Sequence, residues 1–337
     1  MKTDGQPATI LVTGATGSLG PCVVQRLCAQ GYRVRALARH APDPGTLPPG
    51  VEVVLGDIGD AAAVRRAMAG ASGVVHLAAL LHINNPPPAL AAEYWRVNVS
   101  ATAALVAAAE AAGVRRFVYA STIAVYGDNP SQPLDEDAPC RPATLYAGSK
   151  LAGEQVVIAA TAADGGPMGV VLRLASIYGP RIKGNYRRLV ASLARRRFLP
   201  IGEGTNRRTL IFEQDAAAAV VLALAHPAAA GQTFNVTDGA SHSVREIESA
   251  ICSALGRHPP RLRLPARPVR LTCGLLEDAA RAVGHRAPVT RSMLEKYREE
   301  LVVDGRRIRA MLGFAPAYDL WRGWAATVSA LQESGAL

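Results

Sequence analysis

From residue 8 onward, short apolar runs rich in β-branched residues alternate with alanine-rich stretches of helical period. The apolar runs are "ATILVTG", "YRVRALA", "VEVVLGD", "GVVHLAA", "RRFVYAS" and "MGVVLRLAS". The stretches between them predict helices at about 18–30, 60–70, 89–112 and 144–163. Runs apolar on both faces, alternating with helices, imply a parallel sheet covered on both sides, a doubly wound α/β fold. After residue 176 the alternation loosens into basic segments bearing glycine and proline. One more strand, "QTFNVTD" at 232–238, follows the helical "FEQDAAAAVVLALAHP" and is expected to return to the sheet. The expected division is a larger α/β domain over 8–176 with returning segments at about 213–238, and a smaller α/β lobe over 177–212 and 239–330. "NNPPPA" at 84–89 predicts a loop.

The 337 residues, with 49% hydrophobic content, suffice for a substantial core. The longest apolar run, "AAAAVVLALA" at 216–225, is about half of the ~20 residues that a bilayer span needs. A cytoplasmic protein without a membrane partner is therefore expected. Five scattered cysteines without a CxxC argue against both a disulfide framework and a metal site. The net charge of +10 is concentrated between Arg181 and Arg208, where nine cations face one acid, Glu203, for a local net of +8. Such a field attracts anions. Aromatic interleaving is sparse and no nucleic-acid motif occurs, so nucleic acid is not the expected partner. A solvated helix face and a diphosphate-bearing small molecule remain the two readings.

Chemistry enters with "TILVTGATGSLG", where Gly14, Gly17 and Gly20 follow the first strand and open the first helix. Glycines there allow a tight turn and let backbone amides approach a pyrophosphate at the positive helix end. The TGxxGxxG spacing resembles that of the extended short-chain dehydrogenase/reductase family. "GDIGD", "HLAA", "YASTIAVYG", "YAGSK", "LASIYGP", "GEGTNRRTLIFEQDAA" and "FNVTDGASHSVREI" carry the likeness over most of the chain. The last two resemble landmarks of its nucleotide-sugar branch. The resemblance implies a Rossmann-type dinucleotide domain with a substrate lobe. It places cofactor contacts on Gly14, Thr16, Gly17, Ser18, Leu19 and Gly20, on Asp57 and Ile58, and on Leu77, Ala78 and Ala79. Ala38 stands where NAD-using relatives often carry a ribose-binding acid. Arg39, helped by Arg35, can then pair with an adenosine 2′-phosphate, so NADP(H) is favoured and NAD(H) remains possible. An arginine-rich chain would also put a solvated arginine there.

Tyr146 precedes Lys150 by four residues in a chain with only four lysines, and helical spacing sets both side chains on one face. An ammonium beside a phenol favours the phenolate, so Tyr146 is expected to titrate below its ordinary range and to exchange the hydroxyl proton during hydride transfer. The resemblance completes the set with Thr122, leaves Ser121 in reserve, and adds Ser176 and Arg208 as substrate contacts. Asn98 resembles a position that organises the site, against the reading of a buried structural asparagine. His82, Asn84 and Asn85 either touch substrate or decorate a loop. Family dehydratases and decarboxylases carry acids after the catalytic threonine; here the positions hold Ile123 and Ala124.

The sequence thus points to a nucleotide-sugar 4-epimerase or 4-ketoreductase. A hydroxysteroid- or dihydroflavonol-type dehydrogenase is the alternative, and a non-catalytic NADP sensor the remote one. The resemblance also implies a homodimer built on the helices at about 97–112 and 144–163.

Overall fold

The computed structural model describes residues 2–3, 6–81, 83, 87, 89–129, 133–181, 183–269, 272, 277 and 299–337. His82, Asn84 and Asn85 lie outside the described residues, as does Cys273. The chain forms two compact units: 1–177 with 211–239 and 303–317, and 178–210 with 240–302 and 318–337.

In the first unit the strands are β1 (Thr9–Thr13), β2 (Arg33–Ala38), β3 (Glu52–Leu55), β4 (Gly73–His76), β5 (Arg116–Thr122) and β6 (Gly169–Leu174). β7 (Ser176–Tyr178) and β8 (Arg207–Phe212) follow at the unit boundary, and β9 (Thr233–Val236) returns to the main sheet. The order β9-β6-β5-β4-β1-β2-β3 is parallel throughout. The chain therefore reverses direction across the sheet at β1 and β4, where open α/β sheets bind ligands beyond their carboxyl ends. Alternation on the pleat divides the core. Leu11, Phe117, Tyr119 and Val171 bury one face beneath α2 (Ala61–Met68), α4 (Ala101–Ala111) and α5 (Leu145–Ile158). Ile10 faces the opposite side, with Leu224 of α7 (Glu213–Ala225), which packs beside α1 (Gly20–Ala29).

Two expectations are corrected. The helix foreseen over 89–112 is broken into α3 (Leu90–Trp95), a π turn (Arg96–Ser100) and α4. The extra residue of the π turn aims Asn98 inward, and such turns recur at functional sites. Residues 303–317, expected in the smaller lobe, belong to the first unit. Val303 bridges Leu134, Arg307 pairs with Glu136 at 3.3 Å, and Ala317 N–H donates to Asp215 at 2.9 Å. These contacts anchor α9 (Arg306–Leu312).

The second unit holds α6 (Asn185–Ala194), β10 (Ser241–Ser243), α8 (Val244–Ala254) and α10 (Leu320–Glu333). Arg207–Thr209 of β8 pair antiparallel with β10, and α10 packs on α8. The ring of Trp324 stacks on Tyr178 at 4.6 Å. A side chain at Gly323 would collide with the Tyr178 hydroxyl, so only glycine lets α10 approach. Among the described residues no helix is long and apolar enough to cross a membrane, and no group of three His, Cys, Asp or Glu is placed to hold a metal ion.

Candidate active site

The carboxyl ends of β1, β2, β4 and β5 carry most of the residues singled out in the sequence. After β1 the chain turns at Gly14, whose φ of +70° suits glycine and whose missing Cβ would lie 2.6 Å from the Ala78 nitrogen. The absent side chain of Gly20 would overlap the carbonyls of Gly14 and Ala15, so α1 starts tight against the strand. Thr16 and Gly17 are exposed on this turn, Ser18 is half-buried and Leu19 buried. No side chain caps α1 at Leu19. An uncapped helix start with a glycine approach is the arrangement that receives a pyrophosphate. The residues present therefore fit a dinucleotide.

Leu77, Ala78 and Ala79 continue from β4, with the Leu77 and Ala78 amides donating to the Thr13 carbonyl and hydroxyl. Asp57 follows β3 and accepts from Gly59 N–H at 2.8 Å, with Ile58 buried beside it. Arg39 is exposed just past the end of β2. Arg35 is not available to assist it. Its guanidinium pairs with Glu52 at 2.8 Å and donates to the Ala67 carbonyl, because Glu52 is its register partner on β3.

Thr144 caps α5 by accepting from Ala147 N–H, which starts the helix so that Tyr146 and Lys150 occupy successive turns of one stripe. The Tyr146 hydroxyl shares a hydrogen bond with Thr122 at the end of β5. Burial pushes Tyr146 up to about 12; the Thr122 bond works downward and Tyr94 upward. This corrects the expectation that Lys150 lowers it. The Lys150 ammonium instead lies 3.8 Å over the Tyr119 ring, a favourable cation–π placement in a dry site. Burial pushes Lys150 down to about 7, against an upward pull from Glu154.

Ser121 is a second correction. It alternates with Thr122 on the pleat, is buried, and donates to Glu154 instead of facing the tyrosine. Asn98 holds the site from the side. Its amide accepts from Leu80 N–H at 2.8 Å and donates to the Leu80 carbonyl at 3.1 Å and to Ser149 Oγ at 2.9 Å. Ser149 in turn donates to the Tyr146 carbonyl. The reading of Asn98 as an organiser and as a buried structural residue describe the same contacts.

Sequence reasoning passed over three groups. Tyr94 donates to the Leu81 carbonyl and accepts from Ile83 N–H, beside Tyr146. His76 bridges Thr13 at 2.6 Å and Thr102 at 3.0 Å. Thr102 donates to the Asn98 carbonyl, so its oxygen accepts from His76 Nε2–H, and Nδ1 accepts from Thr13. Burial, and secondarily Lys150, push His76 down to about 3, so it is a neutral strut. The third group is Glu154 with Arg173, which lies in β6. Ser176 is half-buried on β7. In the second unit, Arg208 stands on β8 in register with His242.

A family model described as "NAD dependent epimerase/dehydratase family" matches residues 10–237. The chain belongs to this family. Within the epimerase/dehydratase family, a UDP-glucose 4-epimerase of Vibrio cholerae is 28% identical over 97% of this chain and 97% of its own length. A dTDP-glucose 4,6-dehydratase of Streptomyces griseus is 32% identical over 95% and 93%. Among solved structures, MoeE5 in complex with UDP-glucuronic acid and NAD superposes with a TM-score of 0.76, at 27% identity, over 97% of this chain and all of that one.

Proposed function

We propose that this protein transfers a hydride at a carbinol or ketone carbon of a nucleoside-diphosphate sugar, as a 4-epimerase or a 4-ketoreductase. The observation that carries the reading is the hydroxyl pair of Tyr146 and Thr122 with the Lys150 ammonium one turn along α5. Thr122 orients the substrate oxygen, and Tyr146 takes or returns its proton. Burial keeps Tyr146 a phenol at rest, and the Lys150 ammonium one turn along α5 opposes the negative charge that grows there as the proton leaves. Bound nicotinamide supplies the hydride acceptor or donor. The uncapped start of α1 with Gly14, Gly17 and Gly20 would hold its pyrophosphate, and Leu77, Ala78 and Ala79 its flank. Ile123 and Ala124 offer no acid beyond Thr122, which supports simple redox at the carbinol over dehydration.

Ala38 and the exposed Arg39 support NADP(H) over NAD(H), with Arg39 acting alone. Arg208 matches the register of the family segment whose arginine grips the sugar diphosphate. A thermal-shift titration tests the substrate class: UDP or TDP is expected to raise the melting temperature with cofactor present, as any ligand of the native state does. Arg208→Ala is expected to raise the Michaelis constant for the nucleotide sugar at least ~10-fold without weakening cofactor binding. No shift with UDP, TDP or GDP would instead assign an apolar alcohol or ketone as substrate.

A further inference from the structure

We propose that Glu154 is a positioning residue of the active site, a buried carboxylate that keeps the Lys150 ammonium protonated. The inference deepens the reading of Tyr146 and Lys150 as the proton-transfer pair. Tyr146, Lys150 and Glu154 are spaced four residues apart along α5, so the three side chains descend one face of the helix. Glu154 is locked from the sheet. Arg173 Nε lies 3.2 and 3.1 Å from its two carboxylate oxygens, Arg173 Nη2 lies 2.8 Å from one of them, and Ser121 donates to the other. Arg173 is fixed further by Tyr126 at 3.0 Å and by the Glu136 carbonyl at 3.2 Å. Tyr126 donates in turn to Asn235 at 2.8 Å.

A buried ion pair is weak as a stabilising device, since apolar residues of equal volume often serve as well or better. A buried anion one turn from a dry ammonium has a chemical use. Among the described residues, Glu154 is the acid that acts on Lys150. The groups that meet it are Tyr119 from β5, under the ammonium, and neutral His76 from β4, with Tyr146 and Glu154 one turn away on α5 itself. Burial drives the lysine toward the neutral amine, and Glu154 is the group that opposes it. An uncharged Lys150 leaves Tyr146 without its cation.

The sign distinguishes charge from packing. Removing the carboxylate lowers the lysine's titration midpoint. Loosening the core lets water in and raises it toward 10.5. With only four lysines, protein labelled with ¹³C at lysine Cε gives a resolvable titration by NMR, and Lys150→Met assigns the signal. Glu154→Gln is expected to lower the Lys150 midpoint by at least about one pH unit, a tenfold smaller ammonium-to-amine ratio at fixed pH. Ser121→Ala keeps both charges and should leave the midpoint in place. Should Glu154→Gln fail to fold, Glu154→Gln with Arg173→Met removes the cation's repulsion along with the carboxylate's attraction, and since Glu154 is the partner that acts on Lys150 the midpoint should still fall, by less. An unchanged or raised midpoint in the glutamine variants, or an equal fall in Ser121→Ala, overturns the proposal. The titration needs no turnover, so failure of the hydride-transfer reading registers separately, as an inactive enzyme whose Lys150 still responds to Glu154.

Discussion

Asn98→Ala probes whether the π turn positions the catalytic helix. The substitution removes three hydrogen bonds, to Leu80 N–H, to the Leu80 carbonyl and to Ser149. Each contributes about 0.5–1.5 kcal/mol net, which gives roughly 1.5–4.5 kcal/mol in all. At ~2–4 °C per kcal/mol for a domain of this size, the melting temperature should fall by roughly 3–18 °C. The same change frees Ser149, which lies between Tyr146 and Lys150 and donates to the Tyr146 carbonyl. A displacement of the reacting groups by ~1 Å costs about 10²-fold in rate. Turnover measured well below the new melting temperature should therefore drop by up to that factor. Calorimetry and steady-state rates on the same preparation check both parts. A variant that melts lower but turns over normally would refute the positioning argument, and an unchanged melting temperature would refute the hydrogen-bond accounting.

Cofactor choice is read by fluorescence titration: NADP(H) should bind more tightly than NAD(H), the preference should weaken with added salt, and Arg39→Ala should largely abolish it. Tighter NAD(H) binding by the unmodified protein would reject the assignment. We further propose a homodimer through α4 and α5, whose outer surfaces carry small apolar residues together with the exposed Leu145 and Ile158. Light scattering at micromolar concentration should give twice the 35.3 kDa chain mass, and a monomer mass would overturn it.

The sheet was legible because the central strands are short, largely apolar runs and α2, α4 and α7 between strands are alanine-rich, so local pattern and tertiary burial agree. The glycine turn and the Tyr146–Lys150 spacing were legible for a similar reason, since local geometry dictates them. What escaped was set by partners distant in sequence. Hydrophobic period runs unbroken through 89–112, and only the contacts of Asn98 with Leu80 and Ser149 reveal why a π turn interrupts it. Arg35 reads as a free cation until β3 brings Glu52 beside it. Strand alternation alone could have separated Ser121 from Thr122. Glu154 resembles a solvated helix residue and Arg173 an interruption of an apolar strand. Their pairing explains both, and neither sequence neighbourhood hints at the other. Spacing sets Lys150 on the face of Tyr146 but does not report burial, which is the largest influence on both side chains.

The proposed role of Tyr146 as the proton-transfer group is tested most directly by Tyr146→Phe. The assay is turnover of UDP- and dTDP-linked hexoses and their 4-keto derivatives with reduced or oxidised nicotinamide nucleotide, alongside cofactor titration and a melting curve. The variant should fold and bind cofactor nearly as the unmodified protein does, while turnover falls by the ~10²–10⁴-fold typical of lost general acid–base catalysis. Near-normal turnover in Tyr146→Phe would contradict the assignment.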